Sequence, residues 1–118
     1  IKERIGTVQM EMTRRRMMSA VPEADVVITN PTHFSIAIKY DMKNDAAPVV
    51  VAKGQNDIAL RIREIAKENN IPLVEDKPLA RTLYKNVDVG QLVPASLYKA
   101  VAEILAYVYK LKRKTSNI

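Results

Sequence analysis

Apolar Ile1, Ile5, Val8 and Met12 recur at steps of four, three and four, which predicts an amphipathic helix ending near Ser19. Val21-Pro22 interrupts it, because the residue ahead of a proline is driven out of helical geometry. The period then changes. Val26, Val27 and Ile28 form a continuous apolar run, read as a buried strand over 25–29, and Ile36 and Ile38 share one face of a second strand over 35–40. So short a connection makes that pair antiparallel, since parallel neighbours need a long crossover. After a polar loop over 41–47, Val49-Val50-Val51-Ala52 reads as a third strand ended by Gly54.

Ile58, Ile62, Ile65 and Ala66 then return to helical spacing, with Asn56 or Asp57 as the expected cap and Asn69, Asn70 and Pro72 as the stop. Leu73-Val74-Glu75 is a short fourth strand, and the strand-helix-strand order suggests a right-handed parallel crossover. Asp76 is placed to cap a helix through Leu79, Ala80, Leu83 and Tyr84, followed by a loop over 86–93 containing Gly90. Pro94 opens a last helix in which Leu97, Val101, Ile104, Leu105, Val108 and Leu111 repeat on one face. The predicted fold class is α/β: a small mixed four-stranded sheet surrounded by helices, with an N-terminal helical arm. The expected divisions are an N-terminal linker helix over 1–21, a compact domain over 22–111 and a basic flexible tail over 112–118.

Composition narrows the chemistry. With 118 residues, 47% of them hydrophobic, the chain can bury one sizeable core. There is no cysteine, which removes disulfides, thiol catalysis and thiolate metal sites, and His33 is the sole histidine. No spacing gathers carboxylates around it, so neither a metal nor a cofactor is expected. No apolar stretch approaches the roughly 20 residues of a membrane span. A first residue of Ile rather than Met suggests a fragment or a processed product. The formal net charge of +6 favours anionic partners, with Arg14, Arg15 and Arg16 in one cluster and Lys110, Lys112, Arg113 and Lys114 in another. Both clusters read first as solvated helix faces. The methionines Met10, Met12, Met17 and Met18 read as packing rather than as a ligand box.

Between the first two strands lies Asn30-Pro31-Thr32-His33. In ordinary asparagine chemistry the following backbone nitrogen attacks the side chain, but the Pro31 nitrogen is fully substituted and carries no hydrogen. The reverse attack stays open. The Asn30 side-chain amide nitrogen can add to Asn30's own backbone carbonyl and expel the Pro31 nitrogen, leaving a C-terminal succinimide and a prolyl amine. An amide is a poor nucleophile, so the reaction needs close geometry, a donor for the developing oxyanion and a proton for the leaving nitrogen. Pro31 presets a tight turn. Thr32 offers a hydroxyl or N–H donor, and histidine is the side chain suited to proton exchange near neutral pH. The same four residues also make an ordinary polar turn in which Asn30 forms a local hydrogen bond and Pro31 starts the bend.

Four ordered segments set this motif in a wider pattern: Ala24 to His33, Ala47 to Gly54, Ala59 to Ile65 and Pro78 to Tyr84. Together they resemble the cytoplasmic domains of the FlhB/injectisome switch-protein family, over about Ile1 to Leu111. The resemblance implies autocatalytic scission of the bond between Asn30 and Pro31. Asn30 would supply both the nucleophile and the electrophilic carbonyl, Pro31 would be the leaving group, and Thr32 and His33 would shape or polarise the turn. It further implies an N-terminal membrane portion outside this sequence, a place at the cytoplasmic face of the bacterial inner membrane, and a role in switching export from rod and hook to filament proteins. Other export-apparatus proteins and those exported subunits are the implied partners. The segment Ala47-Pro48-Val49-Val50-Val51-Ala52-Lys53-Gly54 and the unbroken spacing after the motif favour the flagellar over the injectisome branch. Such a reaction happens once per molecule, so the chain would not be an enzyme with turnover.

Two further expectations concern contact with partners. Ala47 and Pro48 at the entrance to the third strand, with Ala102 and Leu105 on the last helix, either form a shallow apolar depression that docks exported proteins or are ordinary core packing. A basic α/β nucleic-acid-binding module is the competing class. The chain has no Trp and one Phe, and it lacks the paired aromatic strand motif of common RNA readers, so no nucleic-acid partner is expected.

Overall fold

The computed structural model describes residues 2–31 and 33–116, with side chains over 11–31 and 33–113. Helix α1 spans Lys2–Ala20, and Pro22 converts its continuation into a 3-10 turn, Val21–Glu23. Strands β1 (Val26–Asn30), β2 (Phe34–Lys39) and β3 (Val49–Gln55) are followed by α2 (Asn56–Glu68), β4 (Leu73–Glu75), α3 (Lys77–Asn86) and α4 (Ala95–Ser116). The sheet order is β3-β2-β1-β4. Antiparallel pairing joins β1 to β2 and β2 to β3, while β4 lies parallel to β1. The connection through α2 therefore leaves one edge of the sheet and returns to the opposite edge, making the sheet mixed. Its central strands are β2 and β1.

Alternation along each strand divides the core in two. Val26, Ile28, Ile36, Ile38 and Val50 face Leu79, Ala80 and Leu83 of α3 and Val101, Leu105 and Val108 of α4. On the other face Val27, Ala37 and Ala52 meet Ile62, Ile65 and Ala66 of α2 together with Met17 and Val21. Covering on both faces explains why β1 reads as an unbroken apolar run rather than an alternating one. The last turn of α1 packs with this second layer: Val21 is wholly buried and Met17 nearly so, while Met12 is exposed. The side chains of Ile1, Ile5, Val8 and Met10 lie outside the described set. At the other end, α4 runs on through 112–116, where a basic tail was expected.

Several details depart from the sequence pattern. Strand β3 continues through Gly54 to Gln55, because Gly54 pairs with Ser35 and Gln55 with Phe34. An added Cβ at Gly54 would overlap the Ile58 side chain. Neither Asn56 nor Asp57 caps α2: Gln55 occupies the cap position without a side-chain hydrogen bond, and Asn56 has a positive φ of 54°. The ladder continuing to Gln55 leaves no room for an extended cap residue after it, so the chain turns sharply at Asn56. Asp76 does cap α3, accepting the Leu79 N–H at 3.2 Å. Leu111, assigned to the core stripe, is exposed at 42%, because α4 has by then run past the sheet. The segment 90–93 hydrogen-bonds to the outer edge of β3, with Val50 N–H donating to the Gln91 carbonyl and Gly90 N–H to that of Val50. It closes an edge that would otherwise be unpaired.

Candidate functional site: the Asn-Pro turn between the central strands

Asn30 ends β1 and Phe34 begins β2, and the two are cross-strand partners. Pro31 and His33 are turn residues, whereas Thr32 lies outside the described residues. The His33 backbone N–H donates to the Asn30 backbone carbonyl at 2.9 Å, closing the turn. That oxygen belongs to the carbonyl that cyclisation would attack. A donor placed on it in the resting state polarises the carbon and remains in position as negative charge develops. Asn30 and Pro31 are half-buried and His33 is exposed, so the turn sits at the surface of a strand pair that is otherwise inside.

The turn is held from both flanks. On one side Asp76, just after β4, donates its N–H at 3.0 Å to the carbonyl of Thr29, the residue preceding Asn30. On the other, Asn56, just after β3, donates its N–H at 3.0 Å to the His33 carbonyl. Thus one edge strand is followed by a backbone donor to the turn residue His33, and the other by a backbone donor to β1 one residue before Asn30. Side-chain packing adds to this frame. Phe34 stacks on Tyr84 with ring centroids 4.7 Å apart, and the His33 ring is tilted against Phe34 at 6.3 Å. Lys53 donates from Nζ to the Tyr84 carbonyl at 2.8 Å and lies 5.2 Å from the centre of the Tyr84 ring. Beneath the ladder, buried Ser35 donates to the Ala59 carbonyl at 3.0 Å and so ties β2 to α2.

The sequence offers Thr32, through its hydroxyl or N–H, and the His33 side chain as supporting groups. The donor actually on the Asn30 carbonyl is the His33 main chain. In the sequence Asn56 and Asp76 read only as helix caps; their backbone bonds to His33 and Thr29 depend on sheet order. The readable sign was a polar residue directly after each edge strand. The four residues of the expected docking depression are spread in burial: Ala47 and Ala102 are half-buried, while Pro48 and Leu105 are buried. Leu105 is a core residue of the α3–α4 layer, and the Pro48 carbonyl accepts the Val93 N–H at 2.8 Å. Among the described residues no group of His, Asp or Glu is arranged to hold a metal ion, and no helix is long and apolar enough to cross a membrane.

Fold and site together define a small three-layer α/β domain that carries an Asn-Pro-Thr-His turn on its central strand pair. The model of the FlhB HrpN YscU SpaS family matches residues 1–108, and the chain belongs to that family. The flagellar biosynthetic protein FlhB of Bacillus subtilis (strain 168) is 56% identical over 114 residues, which is 97% of this chain and 32% of that protein. The chain thus spans about a third of the length of the curated relatives it matches. Among solved structures, the cytoplasmic domain of FlhB from Shewanella putrefaciens superposes with a TM-score of 0.83 at 47% identity, covering 88% of this chain and 80% of that one. An EscU C-terminal domain with an asparagine replaced by alanine gives a TM-score of 0.76 at 32% identity, over 78% of this chain and 92% of its own. Further EscU variants replace the proline after that asparagine and a histidine two residues beyond, the spacing of Asn30, Pro31 and His33. The fold is that of the cytoplasmic domain of FlhB.

Proposed function

We infer that this domain cuts its own chain between Asn30 and Pro31, and that the cut remodels a surface of a flagellar export membrane protein that selects export substrates. The observation that carries this reading is the donor on the scissile carbonyl: the His33 N–H lies 2.9 Å from the Asn30 oxygen, in a turn held from both flanks. In the reaction the Asn30 Nδ2 forms a bond to the Asn30 carbonyl carbon, the bond from that carbon to the Pro31 nitrogen breaks, and the proton lost from Nδ2 is balanced by one gained at the prolyl nitrogen. His33 would assist that proton movement, and Thr32 would shape the turn. The product succinimide later takes up water. Each molecule reacts once, so this is autoproteolysis without catalytic turnover.

High identity to flagellar FlhB proteins supports the flagellar branch over the injectisome branch. On this reading the domain works at the cytoplasmic face of the inner membrane, attached to a membrane portion outside this sequence, beside other export-apparatus proteins. Exported rod, hook and filament subunits are its cargo. Ala47 and Ala102 would be the accessible part of a docking depression floored by Pro48 and Leu105. The experiment is to purify the parent and Asn30→Ala chains and incubate both under native conditions. The parent is expected to give two fragments while Asn30→Ala stays whole and folded; cleavage of Asn30→Ala at the same bond would rule out side-chain attack.

A further inference from the structure

We propose that Asn56 is a positioning residue for the cleavage turn, acting through its left-handed backbone conformation rather than through its side chain. The inference rests on the self-cleavage reading and deepens it. Asn56 is one of two non-glycine residues with positive φ among those described; the other, Asn70, follows α2 at its far end. Left-handed geometry is disfavoured for most side chains and tolerated best by glycine, asparagine and aspartate. Here it has a location that matters. Gln55 is still paired with Phe34 in the β2–β3 ladder, and α2 begins at the next residue, so the whole change of direction falls on Asn56.

The Asn56 N–H meets the His33 carbonyl at 3.0 Å, and the His33 N–H meets the Asn30 carbonyl at 2.9 Å. These two hydrogen bonds share one residue. Fixing the carbonyl end of His33 limits its rotation, and with it the direction in which its N–H points. Ile58 packs over Gly54 one residue before the junction, and this contact resists a slide of α2 that would absorb a change at residue 56. A side chain that drives Asn56 toward negative φ must therefore shift the start of α2 or tilt the residue-56 peptide away from His33. Either change loosens the donor on the scissile oxygen. Misplacing a reacting group by about 1 Å costs as much as 10²-fold in rate, so a slowdown of roughly ten- to a hundredfold is expected.

The test compares the cleavage rates of the parent, Asn56→Gly, Asn56→Val and Asn56→Ala chains, with urea midpoints measured on the same proteins. Val108→Ala serves as a control that destabilises the core at a buried position on α4. Asn56→Gly keeps both the N–H and the left-handed conformation, so it should cleave at close to the parent rate. Asn56→Val should be slowed, with Asn56→Ala between them should the valine variant fail to fold, and Val108→Ala should lose stability without a matching loss of rate. Parent-like cleavage in both Asn56→Val and Asn56→Ala overturns the proposal. So does an Asn56→Gly chain slowed as much as Asn56→Ala, because that would assign the effect to the side chain. A parent chain that never cleaves sinks the self-cleavage reading instead, and the two failures are thereby distinguished.

Discussion

In the proposed reaction Asn30 would combine nucleophile and electrophile in one residue, so what its surroundings would have to provide is geometry and charge stabilisation rather than a separate attacking group. The His33 main chain makes the contact to the carbonyl oxygen, and any part played by its imidazole would be separate from that contact. Replacing His33 by Ala leaves the N–H in place and removes only the ring. Cleavage should then slow, within the roughly 10²–10⁴-fold range of a general acid or base, without stopping. Rates measured by gel densitometry decide it: no change would remove the imidazole from the mechanism, and complete loss in a folded variant would make the ring indispensable and contradict an assisting role. Asn30-Pro31 stands out in the sequence as a candidate for cleavage because proline after asparagine closes one chemical route and leaves another. The sequence did not identify the donor, because a main-chain N–H has no residue signature and its direction depends on the whole turn.

At the scale of elements, the turn inherits its shape from the ends of the two edge strands. Gly54 lies at the β3 end, where any Cβ would overlap Ile58. Gly54→Ala should destabilise the domain by about 1–3 kcal/mol through overpacking, read as a lower urea midpoint with little change in slope. An unchanged midpoint would mean that Ile58 and the start of α2 yield easily, which would also weaken the case for a rigid β3–α2 junction. Strand positions were legible from Val26-Val27-Ile28 and from Val49 to Ala52, since apolar runs of this length with flanking polar residues have few other readings. Strand order was not. A three-residue β4 carries no signal for which edge it joins, and it lies beside β1, with α2 and α3 on opposite faces of the sheet. Asn56 was misread for a related reason: an asparagine between strand and helix suits a cap or a left-handed turn equally, and the ladder that extends to Gln55 decides between them.

For the whole molecule, scission after Asn30 would divide the chain within its sheet and not between layers. The N-terminal fragment would keep β1, whose Val26, Val27 and Ile28 are wholly buried between β2 and β4. Burying each such side chain is worth about 1.5–3 kcal/mol, and the strand ladders on both sides remain, so the fragments should stay together. They are expected to co-elute on size exclusion in native buffer and to part only in denaturant; separation without denaturant would mean that the covalent turn, not the sheet, holds β1 in place. A cut of this kind would alter the outer surface of the turn and leave the core unchanged, as the proposed switching role would require. The central claim is tested most directly by intact-mass analysis of freshly purified chain over time. Cleavage by Asn30 cyclisation predicts a fragment ending at Asn30 that first appears one water lighter than its free acid, alongside a partner beginning at Pro31. A persistently intact chain, a cut at another bond, or only the hydrolysed acid at the earliest times would contradict cleavage by Asn30 cyclisation.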